Sequence, residues 1–484
     1  MIPAAFLLHA LYLLELMALY ETKFKIMKTM NKFNWAVFLL SCLVFASCKK
    51  YLDEKPDKAL VVPATLEDCS AILNNYTTMN SSFPVGGEAY ADNYYLTDAA
   101  WAALASQENK DNYIWKLHSN QHTNQWNPAY ESTFYANVVL EALDKIVPDA
   151  NQKNTWNGLK GSALFFRGSY FFMLAQLYAK SYNSGTATQE LGIPLRLSPD
   201  IDIKTTRSTL KQTYDRILQD LTESVDLLPG ITNNKALPTK TAAYGMLARI
   251  YLAIEDYSKA GLYADYCLKR YGELIDYNQL DPTSNAPFKI FNEEVIFQSR
   301  VSSNALMSST RAKVDSNLYL TYQPDDLRKV LFFRPTGNNA YSFKGDYGGN
   351  NNLQFNGLAT DEQYLIRAEC YARTGNKDLA LADLNKLLKT RWRTTSTGST
   401  FVNYTASDTN TALEIILLER RKELLFRHLR WTDLRRLNKD PKFAETLKRN
   451  LNGQIYELPP NDIRYTLMIP QDIINKTGIE QNQQ

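Results

Sequence analysis

Aromatic side chains stand beside amides and carboxylates at three places in the sequence. The densest run is EAYADNYYLTDAAW at residues 88–101, and both NYIWKLH at 112–118 and the segment 341–347 add further rings. A sugar ring stacks its apolar face on Trp or Tyr, and its hydroxyls need polar partners. The pattern predicts a carbohydrate-binding surface, although it equally fits the half-buried underside of a loop. The candidate ligand-binding residues are Asp92, Asn93, Tyr94, Tyr95, Trp101, Trp115, Tyr341 and Tyr347.

Sequence motifs of the common enzyme classes are absent. The chain has no G-x-S-x-G, no P-loop, no G-x-G-x-x-G after a strand and no H-E-x-x-H. His118 and His122 have the spacing that could hold a metal on one helix face. Because no Cys or acidic residue adjoins them, exposed polar side chains are the preferred interpretation. We therefore expect a protein that is not an enzyme and that carries no metal and no cofactor.

Two acidic doublets, Asp325-Asp326 and Asp361-Glu362, resemble the acid pair of a glycosidase. Such doublets are common at helix starts, where they complement the helix dipole, so a structural role is favoured. The glycine-rich segment GDYGGNNN at 345–352 lacks the Lys-Ser/Thr end of a phosphate-binding loop and is interpreted as a flexible turn.

A basic stretch, ERRKELLFRHLRWTDLRR at residues 419–436, raises the question of nucleic-acid binding. The whole chain is nearly balanced, with a net charge of +3 from 54 basic and 51 acidic residues, which is unlike a nucleic-acid-binding protein. The spacing predicts ion pairs between Glu423 and Arg427 and between Asp433 and Arg436. We interpret the stretch as a helix–turn–helix whose arginines tie the last helices to the body through carboxylates and carbonyls.

The N-terminal region has the organisation of an export signal. Lys28 and Lys32 precede the apolar run FNWAVFLLSCLVFAS at residues 33–47, which is followed by Cys48. The pair Ala46-Ser47 before Cys48 resembles a bacterial lipobox, so Cys48 is the predicted lipidation site. Ordinary secretion beside a bystander cysteine is the alternative.

Residues 1–47 are accordingly interpreted as a signal peptide. Within them, residues 1–26 are interpreted as the product of a start assigned too far upstream, because Met27 and Met30 stand where such a peptide would begin. The apolar stretch at residues 2–20 could instead be a membrane helix. Residues 48–64 then form a lipidated tether, and 65–484 a single domain.

Two segments repeat with an offset of 120 residues. Tyr244, Ala248, Tyr251, Ala260, Ala264 and Cys267 align with Tyr364, Ala368, Tyr371, Ala380, Leu384 and Leu387. The spacing matches the tetratricopeptide (TPR) pattern, in which small residues let the two helices of a hairpin approach closely. Flanking patterns add further helices, so that TPR-like helices are expected at about 130–271 and 360–440. Between and before them, 80–128 and 272–358 are expected to be loop regions that carry the ligand.

The combination of these motifs resembles the SusD/RagB family of outer-membrane lipoproteins. The resemblance rests on Cys48 followed by KKYLDEKP, on GIPL, DDLRK and ERRKELLFRHLRWTDLRR, and on the terminal MIPQDIINKTGIEQNQQ. It implies a mainly α-helical fold in which four TPR-like hairpins pack against an irregular, loop-rich half with a few short strands.

The resemblance also implies a function. Such proteins are non-catalytic lipoproteins of the cell surface that capture glycans, or sometimes peptides, for a SusC-like TonB-dependent transporter. The expected partners are thus an oligosaccharide or polysaccharide, that transporter, and the outer membrane through the lipid on Cys48, but no nucleic acid. Two alternatives stay open: a TPR lipoprotein that binds only proteins, and a binder of peptides rather than glycans.

Overall fold

The computed structural model describes residues 63–84, 86–116, 123–302, 304–349 and 353–483. The predicted signal peptide, Cys48, His118 and His122 lie outside these ranges. From Pro63 onward, the described residues form one compact unit. None of the helices in these ranges has both the length and the apolar content that a membrane crossing requires.

Five short helices precede the first long hairpin. The first of them is capped by Thr65, whose side chain accepts a hydrogen bond from the Asp68 amide while the Asp68 carboxylate accepts one from the Thr65 amide. The five are α1 (Leu66–Leu73), α2 (Tyr76–Met79), α3 (Gly86–Tyr90), α4 (Asp98–Ala102) and α5 (Gln107–Tyr113).

The helical half begins with five longer helices, each packed against the next along the chain. Small residues permit the closest approaches. A Cβ added to Gly168 would lie 3.0 Å from Leu221 Cγ, and one added to Gly261 would lie 3.0 Å from Cys370 Cβ. The five helices are α6 (Thr123–Lys145), α7 (Lys153–Tyr178), α8 (Leu210–Leu227), α9 (Lys240–Ala253) and α10 (Tyr257–Arg270).

Seven further helices complete the described chain. α11 (Ser316–Leu320) and α12 (Arg328–Leu331) lie in the loop region, and the others follow as α13 (Thr360–Arg373), α14 (Lys377–Lys389), α15 (Thr409–Glu423), α16 (Arg430–Leu437) and α17 (Gln471–Thr477). α10 packs on α13, α13 on both α14 and α15, and a smaller apolar cluster fills the space among α13, α14 and α15. All of the long helices expected from the sequence are present, and the fold is mainly helical as predicted.

The two aligned repeats end their first helices in the same turn. Glu255 follows α9 with φ +65°, and Gly375, which is 120 residues later, follows α13 with φ +88°. The amides of the next residues, Asp256 and Asn376, donate to Tyr251 O at 2.9 Å and Tyr371 O at 2.8 Å. The repeat in sequence is therefore also a repeat in backbone geometry.

Seven antiparallel pairs account for the strands of the described ranges, and none has a third strand. In the loop region β1 (Tyr94–Tyr95) pairs with β6 (Lys313–Val314), β4 (Val295–Phe297) with β10 (Leu358–Ala359), β5 (Arg300–Ser302) with β9 (Leu353–Phe355), and β7 (Phe333–Pro335) with β8 (Tyr341–Phe343). The other pairs are β2 (Leu191–Pro194) with β3 (Arg207–Thr209), β11 (Thr394–Thr395) with β12 (Gly398–Ser399), and β13 (Leu447–Leu451) with β14 (Gln454–Leu458).

The basic stretch 419–436 forms the end of α15, a turn and α16. Phe426 and His428 occupy the turn with φ +58° and +61°. Arg436 pairs with Asp433 at 2.9 Å as predicted. The prediction of a Glu423–Arg427 ion pair was wrong. Because α15 ends at Glu423, Arg427 lies beyond the helix, and it pairs with Asp361 at 3.1 Å.

Candidate functional site

Short strand pairs join the two loop regions that the sequence marked as ligand-binding. Tyr95 in β1 lies opposite Lys313 in β6, so the segment around residue 95 is hydrogen-bonded to the second loop region. β6 in turn lies beside β8, which begins at Tyr341. Regions that are separated by more than 200 residues in sequence are thus neighbours in the fold.

Phe426 anchors this junction from beneath. Its ring stacks on Phe343 at 4.9 Å and 27°, and it packs against Tyr94 at 6.3 Å. The left-handed backbone at Phe426 turns the side chain away from the direction that a continued helix would give it. Through Phe426, the basic stretch 419–436 therefore contacts both loop regions at their junction.

Asp92 and Asn93, two of the predicted ligand contacts, are engaged in holding the loop to the helices. Arg430 binds the Asp92 carboxylate with two hydrogen bonds of 2.7 and 2.9 Å, and Arg421 binds it at 2.8 Å. Burial opposes ionisation of Asp92, but these arginines outweigh it and hold its pKa well below the ordinary value. Asn93 is 1% exposed and donates to Glu88 Oε1 at 2.7 Å.

Tyr94, Trp115 and Tyr347 lie in the core, so the prediction that they form a ligand surface is corrected. They are exposed by 2%, 1% and 0% respectively. Each ring is covered by a guanidinium, from Arg449 for Tyr94 and Trp115 and from Arg427 for Tyr347. Each polar atom is satisfied by the protein, as when Trp115 Nε1 donates to Tyr90 O at 2.9 Å. Alternation of aromatics and polar residues looks the same in sequence whether a loop faces solvent or the core.

Tyr95, Trp101 and Tyr341 remain half-exposed. The indole N–H of Trp101 donates to Lys110 O at 3.2 Å, and the Lys110 ammonium lies 5.7 Å from the ring centroid. This hydrogen bond fixes the ring while leaving part of its surface open to solvent.

Tyr319 is a member of the site that the sequence reasoning missed. It stacks on Tyr341 with ring centroids 3.7 Å apart and an angle of 16°, and Lys329 lies 5.2 Å from its centroid. Its position in the short α11, close before the DDLRK motif, is the sequence signal that could have found it. We call Tyr95, Trp101, Tyr319 and Tyr341 the aromatic surface.

Two protein-family models match successive parts of the chain. A model described as "Starch-binding associating with outer membrane" matches residues 50–252, and a model described as "SusD family" matches residues 358–478. The chain belongs to the SusD family.

Solved structures of SusD type share the fold. A candidate sugar-binding protein from Bacteroides vulgatus has a TM-score of 0.70 and 22% identity, with 87% of this chain and 99% of that chain covered. A SusD superfamily protein from Bacteroides thetaiotaomicron has a TM-score of 0.69 and 21% identity, with 87% and 100% covered. A SusD-like carbohydrate-binding protein from Bacteroides vulgatus has a TM-score of 0.65 and 18% identity, with 86% and 97% covered. The search of curated proteins found no match.

In this SusD-family protein, a buried acidic trio beneath the loops has the spacing of a metal site. Carboxylate oxygens of Glu294, Asp361 and Glu423 lie within 4.8 Å of one another. Guanidinium groups already lie among them, because Arg391 pairs with Glu294 at 2.8 Å and with Glu423 at 2.7 Å. Positive charge from arginine thus compensates the acids, and we assign the trio to an ion-pair network.

The acidic doublets belong to the same kind of network in this SusD-family protein. Asp361 and Glu362 are buried in the first turn of α13, where Arg427 and Arg249 bind them. Asp326 is buried and pairs with Arg328 at 2.7 Å. These positions match the structural role that was favoured from the sequence.

Proposed function

We propose that this protein is a non-catalytic lipoprotein of the cell surface that captures glycans on the aromatic surface and delivers them to a SusC-like TonB-dependent transporter. The observation that carries the proposal is the aromatic surface itself. Its four half-exposed rings come from two distant loop regions, and three of them, Tyr95, Tyr319 and Tyr341, lie on elements that pair or stack with one another.

The chemistry of this surface supports carbohydrate rather than a wholly apolar ligand. Partly open Trp and Tyr rings offer faces for the C–H side of a sugar, and cationic side chains that can donate to hydroxyls stand beside them. Lys110 adjoins Trp101, and Lys329 adjoins Tyr319.

Export and anchoring are proposed from the N-terminal sequence and the family description. The basic and apolar segments before Cys48 have the order of a lipoprotein signal. The family model that matches residues 50–252 is described as associating with the outer membrane, which supports that location for the anchored protein.

Affinity electrophoresis of the purified protein in gels that contain soluble polysaccharides tests the proposal. We expect at least one polysaccharide to retard the wild-type protein and Trp101→Ala to abolish the retardation, because the substitution removes a stacking ring.

Trp156→Ala is the matched control. Trp156 is also half-exposed, its indole donates to a backbone carbonyl at 3.0 Å, and Lys153 lies 4.3 Å from its ring, but it stands on α7 outside the aromatic surface. Retardation should therefore survive in Trp156→Ala. Equal loss in the two variants, or no retardation by any polysaccharide, would contradict the proposal.

The remaining alternatives give different results in parallel assays. Capture of the transporter from solubilised membranes without retardation by any glycan would favour a protein-binding lipoprotein. Release of product from a labelled glycan would show an enzyme.

A further inference from the structure

A cavity lies outside the aromatic surface. It is a cleft of about 780 Å³, lined by side chains within residues 180–191, 435–439, 461–466 and 480–483, and we call it the C-terminal cleft. None of the four rings of the aromatic surface lines it. Its volume is within the range of about 300–1,000 Å³ that is usual for small-molecule sites.

Arg435 lines this cleft as a buried cation without a carboxylate. It is 4% exposed, and its guanidinium donates to the carbonyls of Gln176 and Ala179 at the C-terminal end of α7. In the part of the chain that the structure describes, no Asp or Glu lies within ion-pair distance of it, whereas Arg420, Arg421, Arg427, Arg430 and Arg436 of the same stretch each have one. Burial accordingly lowers the pKa of Arg435 to about 10.

Three buried donors of the cleft lack a hydrogen-bond partner among the described residues. They are Arg435 Nε, Asn438 Nδ2 and Tyr465 Oη. The residues that carry them are at most 5% exposed. Burial raises the pKa of the Tyr465 hydroxyl, and the nearby Asn438 amide offsets part of the rise, although the two groups do not reach hydrogen-bond geometry. A buried donor without a partner costs free energy, so a ligand oxygen that reaches these three donors from the cleft would be stabilised there.

The other charges around the cleft are in ion pairs, except that of Glu480, which has none among the described residues and interacts with Arg207 at longer range. Lys180 pairs with Glu190 at 2.8 Å, Lys439 with Glu255, and Asp462 with Arg464 at 2.8 Å. The uncompensated positive charge is therefore at Arg435. The rim adds Asn183, Gln189 and Gln483, whose amides both donate and accept and so suit hydroxyl groups.

We propose that the C-terminal cleft is a second ligand site that binds an acidic saccharide residue, with its carboxylate at Arg435, Asn438 and Tyr465 and its hydroxyls at the amide rim. The choice of a saccharide rests on the proposed function, while the carboxylate is inferred from Arg435 and the three unpartnered donors alone.

Ligand-detected NMR titration of the full chain tests this, with sodium glucuronate as the acidic probe and glucose as the neutral one. We expect saturable binding of glucuronate and roughly tenfold weaker binding of glucose, because the hydrogen bonds to a charged group are lost. Tyr465→Phe removes only an unpartnered hydroxyl, so it should weaken glucuronate binding roughly tenfold without lowering the thermal midpoint.

Tyr456→Phe is the matched control, since its hydroxyl bonds Gln454 on the exposed side of β14, and it should leave glucuronate binding unchanged. Asn438→Asp, which brings a negative charge to the floor, should abolish binding. Trp101→Ala should leave it intact, which separates this site from the aromatic surface.

Four results would overturn the proposal: no saturable binding of glucuronate, equal binding of glucose, full binding in Tyr465→Phe, or loss of binding in Trp101→Ala. A further result would separate the two proposals. If no polysaccharide retarded the protein but glucuronate still bound in a Tyr465-dependent way, the function proposed for the aromatic surface would be contradicted and the ligand site in the C-terminal cleft would be supported.

Discussion

At the scale of single residues, arginines decide which polar groups are available to a ligand. Asp92 was expected to meet sugar hydroxyls, yet Arg430 and Arg421 occupy its oxygens. A carboxylate that accepts several charge-assisted hydrogen bonds in a buried setting has little capacity for a further partner. The candidate ligand contacts are thereby restricted to rings such as Trp101 that keep an open face.

Asp346 gives a prediction for pH dependence. It is 6% exposed, and burial raises its pKa from 3.8 to about 6. The folded protein therefore binds this proton more tightly than the unfolded chain, so stability falls as pH rises from about 4 to about 6. The full cost, about 3 kcal/mol, is present above about pH 7.

Asp346→Asn should remove that cost, because Asn retains the Oδ1 that accepts the amides of Gly348 and Phe355. Urea denaturation should show little difference from wild type at pH 4 and a more stable variant, by up to about 3 kcal/mol, at pH 8. A variant that is equally or less stable than wild type at pH 8 would refute the assignment.

At the scale of elements, close approach of helices depends on small side chains at fixed positions. Gly168 lies where α7 meets α8, and its missing Cβ would be 3.3 Å from Ile217 O. Since a backbone atom cannot move aside as a side chain does, this contact limits the size of the residue at 168.

Gly168→Val should therefore destabilise the protein by about 1–3 kcal/mol through overpacking. Gly158→Ala in the same helix is the control, because its nearest neighbour would be 3.9 Å away and the gain in helix propensity should stabilise by up to about 1 kcal/mol. The midpoints of urea denaturation of the two variants and of the wild type test this. A Gly168→Val variant as stable as the wild type would show that α7 and α8 can separate without a cost in free energy.

At the scale of the whole molecule, we predict that attachment to a membrane depends on Cys48. Cys48→Ala should abolish incorporation of labelled palmitate and shift the protein from the detergent phase to the aqueous phase on partition. Cys42→Ala, in the apolar run just before, should leave both unchanged. Continued labelling of Cys48→Ala would exclude Cys48 as the lipid attachment site.

Much of the helical half could be predicted because its pattern is local. Ala248, Ala260 and Ala264 recur at helical spacing, and each is fully buried where the helices meet. The tight turn at Glu255 and Gly375 follows from the same repeat. The candidate site was less predictable: of the eight proposed ligand residues, Tyr95, Trp101 and Tyr341 are half-exposed rings, and Tyr319 was missed.

The sequence alone determined the long helices, the mainly helical fold class and the family resemblance, since these depend on periodicity and on motifs within a few dozen residues. Only the tertiary structure decided which rings face solvent, which carboxylates are neutralised and which arginine is left without a carboxylate. Those outcomes depend on contacts between distant segments, as between Arg430 and Asp92 or Phe426 and Phe343. A pattern of residue types records that a side chain is aromatic or charged, but burial and pairing are set by what the rest of the chain places against it.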